Sequence, residues 1–312
     1  VPVNAGSRVC VGLVTYRPEL QTLQRALDSV RAQVSGVVIV DNASQPPLPE
    51  TFAGDGARAS LEILRMPFNA GLAAAQNRGI AHARERSYTH VLLLDQDSIP
   101  APDMISQLLA AECALLARGE SVAAVGPQIE DARSGRPHPF CQLRGPIVRT
   151  CRTPADAGGA DSCDTFLLIA SGSLIRLGVL EEVGPFEVQM FIDNVDLEWC
   201  FRAADQGYRC FGIFAGRMEH ALGDRTVALA GRRLVLHVHS PQRIYYMTRN
   251  RLWLYRRSYV PLGWKCADLP RFLAKFLLYM LFVRPRAANL RSFCRGIGAG
   301  LLGRAGEAAD AV

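Results

Sequence analysis

The sequence predicts an α/β protein in which a mostly parallel, twisted sheet is flanked by helices and followed by a basic amphipathic helical extension. Three observations carry this. Short, wholly apolar runs alternate with helical periodicities through the first 130 residues, polar residues stand at the ends of those runs, and basic residues crowd the last quarter of the chain.

The elements follow in order. Val9–Val14 is apolar throughout, as in a strand covered on both faces. Leu20, Leu23, Leu27, Val30 and Val34 share one face of a 3.6-residue period, which predicts a helix within 18–34. Val37–Val40 is a second strand ending at Asp41-Asn42, and Leu61–Met66 a third. Gly71–Arg86 is an Ala-rich helix, and Tyr88–Leu94 is a strand running into Asp95-Gln96-Asp97. Asp103–Arg118 adds a helix and Val122–Ile129 a strand. Residues 130–163, rich in Gly, Pro and Arg, read as a long surface excursion. A short helix follows Ser173, then come the segment Phe191–Arg202 and a helical stretch to Gln206. From Pro241 to about Arg304 the pattern is helical and basic.

Composition narrows the function classes. The net charge of +6 conceals an asymmetry: residues 231–304 hold fifteen Lys or Arg against one acid, Asp268, whereas residues 1–230 hold 20 basic and 26 acidic residues. An acidic body with a basic end suits an anionic partner. The end is aliphatic and carries no nucleic-acid motif, so no nucleic acid is expected and an anionic membrane surface is. The apolar run Phe276–Val283 is far shorter than the ~20 residues of a spanning helix. Two helices, about 243–258 and 269–283, flanked by arginines, fit an interfacial anchor or a packed core pair. Nine cysteines lie singly with no C-x-x-C, and the first residues show no basic stretch leading into an apolar one, which predicts a reduced, cytoplasmic protein.

The polar groups at strand ends are the first candidates for chemistry, because ligands of such sheets bind beyond the carboxyl ends of the strands. Thr15-Tyr16 follows the first strand, Asp41-Asn42 the second and Asp95-Gln96-Asp97 the fourth. Any one of them is most simply a cap or turn residue. Together they converge on one rim. Oxygen ligands such as Asp95 and Asp97 suit Mg²⁺ or Mn²⁺, whose shell is completed by phosphate and water. Asn69-Ala70-Gly71-Leu72 opens a helix, either as a plain turn and cap or as backbone N–H groups placed for an anion or ribose. In Phe191–Trp199 the acids Asp193, Asp196 and Glu198 sit among apolar residues, where burial raises a carboxyl pKa and favours a general base. If this stretch is helical, Asp193 and Asp196 share a face. His237 and His239 alternate, as in an ordinary exposed strand.

The motifs VTY, DNAS, NAGLAAAQNRGI, LLLDQDS, FIDNVDLEW and SPQRIYYMTRN, in that order over about residues 8–255, resemble bacterial glycosyltransferase family 2, with its GT-A fold. DQDS and FIDNVDLE most resemble the branch using dTDP-L-rhamnose. The resemblance implies a catalytic domain over 1–240 and a membrane-associating helical region over 241–312. It implies nucleotide-sugar contacts from Thr15, Tyr16, Asp41, Asn69, Gly71, Asp95, Gln96, Arg243 and Arg249. It places a divalent metal, Mg²⁺ or Mn²⁺, at Asp97, Asp95 and His220, makes Asp196 the catalytic base, and sets Asp193, Glu198, Trp199 and His239 near the acceptor or diphosphate. The implied reaction is inverting sugar transfer to a lipid-linked saccharide or glycolipid at the inner face of the bacterial plasma membrane. A UDP-hexose donor and a silent scaffold of the same fold are the alternatives. A nicotinamide enzyme is disfavoured because the first strand–helix turn, TYRPE, lacks G-x-G-x-x-G.

Overall fold

The computed structural model describes residues 6–52, 59–221, 225–229 and 234–307, without the side chains of 225–229 and 234–237. Its elements are β1 (Val9–Thr15), α1 (Leu20–Arg31), β2 (Gly36–Asp41), β3 (Ser60–Arg65), α2 (Leu72–Glu85), β4 (His90–Asp95), β5 (Ile99–Pro100), α3 (Met104–Ala117) and β6 (Val122–Asp131). They continue with β7 (Phe140–Arg144), β8 (Ile147–Cys151), β9 (Ser162–Thr165), β10 (Leu174–Arg176), α4 (Leu177–Val183), α5 (Val195–Asp205) and β11 (Arg209–His220). The chain closes with β12 (Arg225–Leu229), β13 (Leu234–Val238), α6 (Pro241–Arg256), α7 (Leu262–Phe282) and α8 (Arg286–Leu301).

A nine-stranded sheet runs β3-β2-β1-β4-β10-β6-β11-β5, with β9 also pairing β11. The β3-β2-β1-β4 half is parallel, as is β6-β11, while β10 inserts antiparallel between β4 and β6. Alternate residues of each strand feed two cores. Val11, Leu13, Ile39, Leu92 and Leu94 pack with Leu23, Leu27 and Leu108 of α1 and α3. Cys10, Val38, Val40 and Leu93 pack with Ala75, Ile80, Trp199 and Phe201 of α2 and α5. Both faces being covered is why the central strands β1, β2 and β4 are apolar at nearly every position.

Two expectations need correction. Residues 130–163 are not an irregular excursion: β7 and β8 form a hairpin, β9 joins the sheet, and Phe140 meets Phe214 edge-on with ring centroids 5.5 Å apart. Polar residues alternating on two-stranded ribbons hide this from a search for apolar runs. The stretch from Phe191 is also not helical throughout. Phe191, Asp193 and Asn194 take positive φ, α5 begins only at Val195, and Asp193 therefore does not share a helical face with Asp196.

The C-terminal helices are built onto the body. Trp253, Leu254, Val260 and Trp264 belong to the same apolar cluster as α2 and α5. Asp268, the lone acid of the basic stretch, accepts two hydrogen bonds from Arg251 (2.6 and 3.0 Å) and one from Tyr255 (2.6 Å). Farther along α7, Leu269, Leu273, Leu277 and Leu281 recur every four residues and are each about half exposed. Among the described residues no helix is long and apolar enough to cross a membrane.

Candidate active site

The parallel strands β1 and β4 deliver Tyr16 and Asp95-Gln96-Asp97 to one end of the sheet, where a cleft of about 730 Å³ opens. The loop before α5, the end of β11 and α6 form its other walls. Asp95, Gln96, Asp97, Asp193, Asp196 and His220 all line it, as do Tyr16, His239 and Arg243. The sequence-predicted residues are thus largely brought together.

Asp95, Asp97 and His220 form one group, with ligand atoms all within 4.8 Å of one another. His220 Nδ1 lies 3.4 Å from Asp97 and Nε2 lies 3.9 Å from Asp95. Burial raises the pKa of Asp95, an effect opposed by His220 and reinforced by Asp97. For His220, burial works against charge, but the hydrogen bond to Asp97 and the charges of Asp95, Asp97 and Asp131 outweigh it and raise its pKa. Two carboxylates crowded beside an imidazole, half open to a cleft, are a donor set that suits a divalent cation. Two residues not singled out from the sequence hold this group. Ser98 Oγ sits 2.8 Å from His220 Nδ1 and 2.7 Å from Ser171 Oγ, which in turn accepts from the Asp95 backbone N–H at 3.0 Å. Ser98 directly follows the acidic motif, and that adjacency was the available signal.

Asp196 lies in the first turn of α5. Its carboxylate accepts from the backbone N–H groups of Leu197 (2.8 Å) and Ala170 (3.4 Å), both of which favour the charged form. Burial outweighs them, and with Asp193 and Asp95 nearby the pKa rises to about 6. A carboxylate poised there, facing a cleft, has the protonation behaviour of a general base. Asp193 is instead consumed by Arg243, which donates from Nε (3.2 Å) and Nη2 (2.6 Å).

Behind the cleft, Thr15 and Asp41 are buried and hydrogen-bonded to each other at 3.3 Å, and Asp41 also accepts from Ser44 N–H at 3.2 Å. Asn69 accepts from Asn42 (2.8 Å) and from Gly71 N–H (3.0 Å), tying the second strand end to the start of α2. Gln96 accepts from Tyr16 N–H at 2.8 Å. Gly71 has φ 88°, and a Cβ there would meet the Phe191 carbonyl at 2.6 Å, so its role is close approach of two loops.

Three predicted contacts lie elsewhere. Glu198 is buried against Arg202 (2.8 and 2.9 Å) and the Tyr259 hydroxyl (2.7 Å). Trp199 is core and donates to the Gly184 carbonyl at 3.0 Å. Arg249 is fully buried and donates to the carbonyls of Gln189 (3.0 Å), Met190 (2.8 Å) and Gly306 (2.6 Å). Its neighbour Asn250, unnoticed in the sequence, donates to Met190, Ile192 and Asp193 carbonyls at 2.8–2.9 Å. These two side chains hold the positive-φ loop that carries Asp193 and leads into Asp196, so they position the site without touching the cleft. The side chain of His237 lies outside the described residues.

Comparison with known proteins settles the family. Residues 10–177 match the model of Glycosyl transferase family 2. The chain belongs to that family. It is 30% identical over 256 residues to a dTDP-rhamnosyl transferase, RfbF of Shigella flexneri, spanning 82% of each chain. It is 26% identical over 215 residues to a pre-mycofactocin glycosyltransferase of Mycobacterium tuberculosis, of which it spans 42%. Among solved structures it resembles GalNAc-T7 with UDP, GalNAc and Mn²⁺ (TM-score 0.58, 14% identity, 96% of this chain and 56% of that one). It also resembles S. aureus TarS 1–349 in complex with UDP-GlcNAc (TM-score 0.56, 13% identity, 95% and 81%). The expected GT-A architecture, a mostly parallel mixed sheet flanked by helices, is the one observed, and this glycosyltransferase carries C-terminal helices beyond it.

Proposed function

We propose that this glycosyltransferase moves L-rhamnose from dTDP-L-rhamnose to a lipid-linked saccharide or glycolipid, with a divalent metal, Mg²⁺ or Mn²⁺, at Asp97, Asp95 and His220. The observation that carries the chemistry is the juxtaposition, in one cleft, of the Asp95/Asp97/His220 group and the raised-pKa carboxyl of Asp196. The rhamnosyl donor is supported by the resemblance to the dTDP-rhamnosyl transferase of Shigella.

Asp196 accepts the proton of the acceptor hydroxyl, which attacks the anomeric carbon as the nucleoside diphosphate departs. Direct displacement inverts the centre, so a β-L-rhamnosyl donor yields an α-L-rhamnoside. A bound divalent ion supplies charge stabilisation for the leaving diphosphate. Ser98 and Ser171 keep His220 and Asp95 oriented, and Asp41 and Thr15, at the second and first strand ends, receive the nucleoside.

The tail supports placement on an anionic membrane at the inner face of the plasma membrane. The outward leucines of α7 supply an apolar face, and exposed Arg271, Arg286 and Arg291 supply charge beside it. A screen of donor hydrolysis across dTDP-L-rhamnose, UDP-glucose, UDP-galactose and GDP-mannose tests the donor. Preference for dTDP-L-rhamnose is expected, and preference for a UDP-hexose replaces the donor while keeping the family.

A further inference from the structure

The metal group and Asp196 occupy one end of the sheet, and a second cavity, of about 430 Å³, opens at the other. Arg209 at the start of β11 lines it, whereas His220 ends the same strand in the catalytic cleft. Alongside, β6 runs from Val122, opposite Arg209, to Asp131, opposite His220, roughly 30 Å of extended chain. The β7–β8 hairpin forms one wall. Its register sets Gln142 opposite Arg149 and Arg144 opposite Ile147, and side chains two apart on a strand share a face. Gln142, Arg144 and Arg149 all line the cavity, with the two arginines as diagonal neighbours. Arg118, just past α3, and Arg209 line the remaining walls.

Three acids line the cavity too, and each is engaged. Glu120 and Asp164 both accept from Arg209, at 2.5 and 2.8 Å. Asp156 accepts from the backbone N–H groups of Arg152 (2.8 Å) and Thr153 (3.0 Å) and from the Thr153 hydroxyl (3.1 Å), bonds that lower its pKa. Arg118 donates from Nε to the Ala114 carbonyl at 3.2 Å and meets no carboxylate among the described residues. Among the described residues Arg144 and Arg149 have no side-chain partner. Like charges set close on one sheet face repel, and three guanidinium groups around one concavity suit an oxyanion, which they can grip in pairs of parallel hydrogen bonds. The rest of the lining narrows the ligand. Gln142 and Ser162 offer uncharged hydrogen-bonding groups. Phe211, the one aromatic residue of the lining, is buried with the Arg209 guanidinium over its ring at 5.0 Å, so no ring is open for a nucleobase to stack on.

We propose that this cavity is a second binding site, separate from the catalytic cleft, for a phosphorylated sugar. Arg118, Arg144 and Arg149 bind the phosphate, and Gln142 and Ser162 bind sugar hydroxyls. The volume is that of a small-molecule site.

Calorimetric titration of the full chain with glucose 1-phosphate, with and without saturating dTDP, tests this against glucose and inorganic phosphate. Glucose 1-phosphate should bind at least about tenfold more tightly than either, since phosphate and hydroxyls each contribute. Arg144→Gln combined with Arg149→Gln should weaken it by about tenfold or more. Both side chains are exposed and far from the cleft, so the double variant should keep the wild-type melting temperature and donor hydrolysis. Asp97→Asn should leave glucose 1-phosphate binding unchanged. No binding of glucose 1-phosphate, binding no tighter than that of inorganic phosphate, undiminished binding by the folded double variant, or displacement by dTDP would each overturn the proposal. The transferase reading fails separately: a chain that binds glucose 1-phosphate as described but hydrolyses no nucleotide sugar keeps this site and loses its donor.

Discussion

Replacing Asp196 with Asn should make the protein more stable and nearly inactive at once. Its carboxyl moves from an ordinary 3.8 to about 6 on folding, chiefly through burial. Ionising it in the folded state therefore costs at most about 3 kcal/mol, before allowance for cleft water. Asn avoids that cost, keeps one acceptor for the Leu197 or Ala170 N–H, and gives up the other, a loss of about 1 kcal/mol. The net gain is about 1–2 kcal/mol, or roughly 2–4 °C in melting temperature for a chain of this size. The sign with pH follows from the direction of the shift. Below about pH 3.8 the carboxyl is largely neutral in both the folded and the unfolded chain, and the two proteins should melt together. Between about pH 4 and 6 the unfolded chain ionises while the folded one keeps its proton, so the gap should open over that interval and be complete above about 6. Turnover of the wild type should rise as pH passes through about 6, because the base must be a carboxylate, and Asp196→Asn should lose about 10²–10⁴ in rate. Calorimetry at pH 4.5 and 8, with sugar-transfer rates at pH 8, reads both. A variant that melts below the wild type at pH 8, or that turns over normally, would refute the argument.

Other perturbations probe other parts. Asp97→Asn should abolish stimulation of donor hydrolysis by Mn²⁺ while leaving the circular dichroism spectrum unchanged; full activity in excess EDTA would exclude the metal. Gly71→Ala places a Cβ 2.6 Å from the Phe191 carbonyl at φ 88°, so it should cost on the order of 1–3 kcal/mol in denaturant titration and weaken dTDP binding. Leu273→Glu with Leu277→Glu alters only the exposed face of α7 and should release the protein from anionic vesicles in co-sedimentation, with the melting temperature held. Unchanged sedimentation would make that face something other than a membrane surface.

The order of strands and helices was legible because both faces of the sheet are covered, so strands such as Val9–Val14 and Tyr88–Leu94 read as apolar runs. β10 was not, since three residues paired antiparallel to β4 and β6 leave no periodic trace. In the site, residues at strand ends were readable one by one because topology alone brings strand ends to one rim. Roles set by distant partners were not. Arg249 looks like any arginine of a basic stretch, and only the fold shows it buried against the carbonyls of Gln189 and Met190. Glu198 was readable in part, because Arg202 stands four residues on and such pairs meet on a helix.

The central claim is that Asp95, Asp97 and His220 hold a divalent ion that in turn holds the nucleoside diphosphate. Electron paramagnetic resonance of Mn²⁺ titrated into the protein, with and without dTDP, tests it most directly. The account predicts that dTDP tightens Mn²⁺ binding, that Mn²⁺ tightens dTDP binding by the same factor, and that Asp97→Asn removes both effects. Equal dTDP affinity in Mn²⁺ and in EDTA would contradict it.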